Sequence, residues 1–329
     1  MKRIFSLFLC LCLLFCGCEA SPITEETSPS STSSTDESTA EPTPTASPTP
    51  APTPAPPVFT YDPFKLSAES ASVLELAGNT EDWNTLMQAV LNSETSCTLQ
   101  YPDGIDDLLL VFSASPYADF AEISREGNTL YINRTDSTAA ETLKNAVETL
   151  MNDALLPFSN ETEKALHLYR TVSSFTYEES EENSLYRMLT EHKGGAKEFF
   201  EALQYLLTQA DIFSFVAEGT AAGFPHYWVV VEFNGQYYHL DPVFEQSTTA
   251  GRGLSYFGMN DAAHTETGCS AEYTVGLLNE PHDALCPDLL FNGLFTDVTD
   301  WQFDPAAHEI TLTYGGGPSS AAFKLASLY

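Results

Sequence analysis

The chain has 329 residues, with 46 acidic and 13 basic side chains and a formal charge of −33. No stretch gathers basic residues, which excludes charge-driven binding to nucleic acid or to anionic lipid headgroups. An acidic surface of this kind supports solubility and favours cationic ligands.

The N-terminal stretch MKRIFSLFLCLCLLFCGCEA begins with Lys2 and Arg3. An apolar run from Ile4 to Cys16 follows, too short to span a bilayer, and then Gly17-Cys18. The stretch resembles a bacterial lipoprotein signal, although Phe15 stands where an aliphatic residue is usual. That resemblance implies a signal peptide over 1–17, lipidation of Cys18, and residence on the outer face of a bacterial membrane through the lipid. The alternative is an ordinary secretory signal cut slightly later; both imply export. Residues 18–57 contain almost no large apolar side chain and end in EPTPTASPTPAPTPAPP, so they cannot bury enough surface to order themselves. They are expected to form an extended tether, on the order of 100 Å long at about 3.1 Å per residue.

From residue 58 the composition becomes that of a folded body. Over 58–157 the expectation is a mixed α/β segment. A helix is expected at DWNTLMQAVLNSE, a buried strand at DDLLLVFSAS, and a hairpin turning at Gly127-Asn128. A helix follows, capped by Thr138 and Glu141, with Leu143, Val147, Leu150 and Met151 on one face. Nothing in this segment carries nameable chemistry.

Over 158–247 the pattern is sharper. Asn160 caps a helix running to about Ser174. After Gly194-Gly195, apolar residues at Phe199, Phe200, Leu203, Leu207 and Ala210 mark a helix starting at Ala196. A short strand at IFSFVAEG precedes HYWVVVEF-NG-QYYHLDP, two strands joined by Asn234-Gly235. A two-residue turn sets Phe233 opposite Gln236 and places His226 and Asp241 on one face as diagonal neighbours. Tyr227, Val229, Val231, Phe233, Tyr238 and Leu240 fall on the other, core face. Residues 248–329 read as loops followed by strands, a β-rich extension with a loop at GGGPSS. Overall the expected class is α+β.

These motifs, in this order, resemble the transglutaminase-like domain of bacterial surface proteins, a branch of the papain-like cysteine enzymes. The carriers are Tyr177 after a helix, GGAKEFFEALQYLL, FVAEG, HYW and HLDP, with YFGMND as a looser trailing match. The resemblance implies His226 as base, Asp241 as its orienter, and Tyr177 and Trp228 at the ligand cleft. It places the nucleophilic cysteine at the position held by Ala196. Asp211 and Val243 are smaller departures, from a common glycine and from a small polar residue.

A helix start favours a thiolate, an imidazole pairs with it, and a carboxylate fixes the imidazole. Alanine deletes the attacking atom. Lys197 cannot replace it, since it projects about 100° away and is normally protonated. His239 shares the His226–Asp241 face and is expected to be structural or exposed. Cys97, Cys269 and Cys286 remain in the body, lack zinc-like spacing, and read as small buried hydrophobes, with a single Cys269–Cys286 bridge as the alternative. No cofactor or metal is implied.

Three readings follow. The chain is a tethered pseudoenzyme that binds a peptide, polyamine or cell-wall ligand. Or it is an active enzyme through another nucleophile, or in a parent with cysteine in place of Ala196. Or it is a structural or solute-binding lipoprotein.

Overall fold

The computed structural model describes residues 58–134, 138–154, 160–281, 285–291, 293–304, 306–315 and 320–324. The export signal, the tether and most of the GGGPSS loop lie outside them. No helix of the described residues is long and apolar enough to cross a membrane.

Helix α1 (Ala68–Ala77) is capped by Ser67, whose hydroxyl accepts from the Ser70 N–H. It ends at Gly78 with φ 70°, a left-handed stop that glycine adopts without strain. Helix α2 (Thr80–Leu91) and strand β1 (Ser96–Thr98) follow. The stretch expected as a buried strand is instead helix α3 (Ile105–Ser113). The turn at Pro102–Gly104 launches it, and Ile105, Leu108, Val111 and Phe112 fall on its buried face. A short apolar run fits both periods, and here the period of 3.6 prevails. The hairpin β2 (Ala121–Glu126) and β3 (Thr129–Arg134) turns at Gly127-Asn128, with Glu126 opposite Thr129. Strand β1 adds to β3, and helix α4 (Ala139–Ala154) buries Leu143, Val147, Leu150 and Met151.

Helix α5 (Glu161–Ser173) opens with a reciprocal cap. The Glu163 N–H donates to Asn160 Oδ1 (2.9 Å), and the Asn160 N–H donates to Glu163 Oε2 (3.2 Å). Strands β4 (Thr176–Tyr177) and β5 (Lys193–Gly194) pair in parallel around helix α6 (Leu185–Glu191), and helix α7 (Ala196–Gln209) begins directly after them. Next come β6 (Ser214–Ala221), β7 (Phe224–Phe233) and β8 (Gln236–Leu240), with Asn234 and Gly235 both at positive φ in the turn. Helices α8 (Pro242–Thr249) and α9 (Asp261–Glu266) precede β9 (Thr274–Val275) and β10 (Glu280–Pro281). The central sheet runs β10-β9-β6-β7-β8. A separate antiparallel sheet, β11 (Val298–Asp304), β12 (Glu309–Tyr314) and β13 (Ser320–Lys324), closes the chain.

One core runs through all three segments, joining Leu86 and Leu108, then Phe199 and Val229, then Trp301 and Ile310. The central sheet is buried on both faces. Val229, Val231, Phe233, Tyr238 and Leu240 enter that core, as expected. The face expected to be spared is also covered: Trp228 and Val230 pack with Phe215, Ala217, Tyr273, Val275 and Cys286.

Glu69 staples α1 to the core. Its Oε1 accepts from Gln204 Nε2 (3.0 Å) and the Val216 N–H (2.6 Å), and its Oε2 from the Leu277 N–H (3.3 Å). Burial nevertheless raises its pKa from 4.5 to about 7, the backbone hydrogen bonds opposing the shift. A carboxyl whose folded pKa exceeds its unfolded value contributes stability at low pH and loses it as pH rises through the folded value. Between pH 5 and 8 this group therefore removes about 2 kcal/mol. Glu69→Gln, which cannot ionise, is expected to lose less stability over that range. Urea unfolding of both proteins at each pH measures the difference; a gap that stays constant with pH contradicts the assignment.

Candidate functional site

The site starts with two glycines that serve space rather than φ. A Cβ on Gly194 would lie 2.8 Å from Glu198 Cβ and 3.0 Å from Met188 Sδ. One on Gly195 would lie 3.1 Å from Asn183 Nδ2 and 3.2 Å from Glu198 Oε2. A side chain at Gly194 would force Glu198 and Met188 to shift, and one at Gly195 would push the ends of Asn183 and Glu198 aside by a few tenths of an ångström. The strand-to-helix corner is pinned to β4 by the Thr176 N–H on His192 O and the Glu178 N–H on Gly194 O, both 2.9 Å. Ala196 is thus the first residue of α7, where backbone N–H groups have no partner within the helix. Glu198 reaches back to accept from the Gly195 N–H (2.9 Å).

Opposite this corner stands His226 on β7. Ala196 and His226 line one cleft of about 350 Å³, with Glu179, Asn183, Glu198 and Tyr227 among the other walls. His226 Nε2 lies 2.6 Å from Asp241 Oδ2. Asp241 is fully buried and ends the strand pair as the cap of α8. Its Oδ1 accepts from the Val243 (3.1 Å) and Phe244 (2.9 Å) N–H groups. Both lobes of the carboxylate are therefore occupied. Nε2 is committed to Asp241, leaving Nδ1 as the imidazole nitrogen for a ligand. The ring lies nearly parallel to Phe244 (4.6 Å, 18°) and to Trp228 (6.1 Å, 26°), and Phe200 meets it edge-on (5.8 Å).

The structure brings together three of the residues singled out from sequence, Ala196, His226 and Asp241. It does not bring Tyr177 or Trp228 to the cleft wall. Tyr177 is partly exposed and bonds Glu179, which does line the cleft. Trp228 is fully buried behind His226 and donates its Nε1–H to His239 Nδ1 (3.0 Å). That donation sets the His239 tautomer, so Nε2–H is left to donate to Asp261 Oδ1 (3.0 Å). Asp261 Oδ2 accepts from the Cys286 N–H (2.8 Å). His264 stacks on His239 at 4.1 Å and 14°. Burial, then the neighbouring His239 and His226, depress the His264 pKa to about 3, so it stays neutral. Thus His239 is structural, and buried rather than exposed.

Sequence spacing gave no hint that two Cys–His–Asp groups assemble: His226, Asp241 and Cys269, and His239, Asp261 and Cys286, each with ligating atoms within 4.8 Å. Neither donor set suits an ion as arranged. The 2.6 Å approach of His226 and Asp241 is a hydrogen bond, shorter than two ligands about 2.0–2.1 Å from one tetrahedral metal would stand. His239 carries its proton on Nε2, the nitrogen facing Asp261, because Trp228 occupies Nδ1. All three body cysteines are free, so the bridge considered for Cys269 and Cys286 does not form. Burial first, then nearby carboxylates, raises the Cys269 and Cys286 thiols above their usual pKa. Cys269 sits beside the dyad yet is buried and does not line the cleft. Ser180 does line it, but its hydroxyl accepts from the Glu182 N–H (3.2 Å) and has no hydrogen bond to His226.

No protein-family profile matches the chain, and no curated protein does. Among solved structures, a protein provisionally described as a cysteine protease from Cytophaga hutchinsonii aligns at 15% identity and TM-score 0.26. That alignment covers 32% of this chain and 37% of the other. A protein described as a TGase aligns at 11% identity and TM-score 0.27, over 48% and 47% of the two chains. A protein provisionally described as a protease from Parabacteroides distasonis aligns at 13% identity and TM-score 0.29, over 51% and 35%. This chain therefore spans less than half the length of each. Likeness at this level carries no weight on its own.

Proposed function

We propose that this chain is an exported, lipid-anchored transglutaminase-like protein without a nucleophile, and that its cleft binds a cationic peptide, polyamine or cell-wall ligand. The observation that carries this reading is the shared cleft. A buried His226–Asp241 pair faces the start of α7, where Ala196 offers only a methyl group. Acyl transfer through a thioester needs a sulfur at that point, and the dyad alone supplies none. Glu179 and Glu198 line the cleft, while its lysine, Lys197, is already paired with Glu201 (3.1 Å). Glu179 and Glu198 are thus the charged groups of the cleft that a cation could pair with.

Calorimetric titration of spermidine into the mature protein tests the reading. Saturable binding is expected, weakened by added salt and by the double variant Glu179→Gln, Glu198→Gln. Ammonia release from a glutamine-containing peptide by the unaltered protein, lost in His226→Ala, would instead establish an enzyme with another nucleophile. Anchoring is tested separately: Cys18→Ala is expected to block lipidation and normal processing, leaving the uncleaved signal on the chain. A wild-type mature chain without lipid would sink that part.

A further inference from the structure

A second concavity, about 340 Å³, runs along the face of α7 from Lys197 to Thr208. Its far wall comes from α1, α2 and α3, the segment in which the sequence carried no chemistry. The volume falls in the range of small-molecule sites. Leu66, Trp83, Leu110, Phe200, Val216 and Leu277 supply apolar surface, and Leu110 is 43% exposed there. Lys197 and Tyr227 line both this groove and the cleft, so they form the partition between the two.

The charged groups on the lining are unevenly satisfied. Lys65 pairs with Asp211 (2.6 Å) and donates to Gln209 O (3.1 Å). Lys197 pairs with Glu201, and Glu69 holds its three N–H donors. Glu218 differs. It accepts only from the Tyr227 hydroxyl (3.2 Å), and no lysine, arginine or histidine of the described residues forms an ion pair with it. The groove therefore combines an apolar trough with an uncompensated carboxylate beside the partition. A cationic head would give Glu218 the counter-charge it lacks, which an anionic or neutral one would not.

We propose that this groove is a binding site for an alkyl- or arylalkylammonium group, its apolar body in the trough and its ammonium at Glu218. The site is distinct from the cleft and does not depend on the vacant nucleophile position. The probe is 4-phenylbutylamine, titrated by calorimetry into the mature full-length protein. Glu218→Gln keeps an acceptor for Tyr227 and is expected to weaken binding about tenfold, the usual scale for one charge-assisted contact. The neutral analogue 4-phenylbutanol should bind more weakly and be indifferent to Glu218→Gln. Butylamine, without the ring, should also lose affinity. Ser113→Trp, on the groove wall, should block the amine, whereas the double variant Glu179→Gln, Glu198→Gln, which lies outside the groove, should leave it unchanged. Absence of saturable binding, or binding that survives both Glu218→Gln and Ser113→Trp, overturns the proposal. Binding that disappears in the double variant Glu179→Gln, Glu198→Gln places the amine in the cleft, and overturns the groove assignment while leaving the cleft reading intact.

Discussion

Ala196→Cys is expected to create the fastest-reacting thiol in the molecule. The new sulfur would sit at the first turn of α7, in the cleft that His226 also lines. Helix-start N–H groups and an imidazolium both stabilise a thiolate. An ordinary cysteine, with a pKa of about 8.5, is about 1% ionised at pH 6.5. A thiol paired with His226 would be mostly ionised there, and alkylation at least about tenfold faster is expected, allowing for lower nucleophilicity at lower pKa. Background labelling is low, because burial, then nearby Glu94 and Asp82, hold Cys97 up at about 11, while Cys269 and Cys286 are raised and buried. Glu198 works against the effect by placing a carboxylate near the new thiolate, so Glu198→Gln should accelerate labelling further. His226→Ala in the cysteine background should slow it towards the rate of an unfolded chain. Iodoacetamide kinetics at several pH values measure all three. A thiol that labels at the unfolded rate with or without His226 would mean that Ala196 is an ordinary helix-start alanine.

The parts of this arrangement that sequence reveals are those with short-range causes. Asn234-Gly235 fixes the hairpin register, and with it the face shared by His226 and Asp241. The Gly194-Gly195 break and the apolar spacing after it locate α7, because steric crowding and helical period are both local. Even the first residue of that helix was legible. What stayed hidden depends on contacts between distant segments. Trp228 reads as a cleft wall until Tyr273, Val275 and Cys286 are seen to cover it. Whether His239 is structural or exposed stays open in the sequence because its partners, Trp228 and Asp261, come from β7 and from the start of α9. DDLLLVFSAS reads as a strand because an apolar run has no period until its neighbours choose one face. The groove along α7 was invisible for the same reason, since half of its wall belongs to a segment without motifs.

Asp241→Ala is expected to be the most destabilising single change at the site. The carboxylate is fully buried, accepts two backbone N–H groups at the start of α8, and pairs with a buried imidazole. Alanine leaves all three donors unsatisfied, at a cost of about 3–5 kcal/mol, the range for breaking a buried pair by removing one partner. Asp241→Asn separates the two duties of the residue. Its Oδ1 can still cap α8, so the loss should be smaller, about 1–2 kcal/mol. Its amide, however, would donate to His226 Nε2 and force the ring proton to Nδ1, the nitrogen needed as acceptor in the cleft. A wrong tautomer behind preserved geometry disables the Ser–His–Asp enzymes in the same way. In the Ala196→Cys background, Asp241→Asn should therefore fold cooperatively in urea yet label almost as slowly as His226→Ala. If the asparagine variant labels as fast as the aspartate parent, Asp241 serves only as a helix cap, and the dyad has no part in ionising a group at position 196.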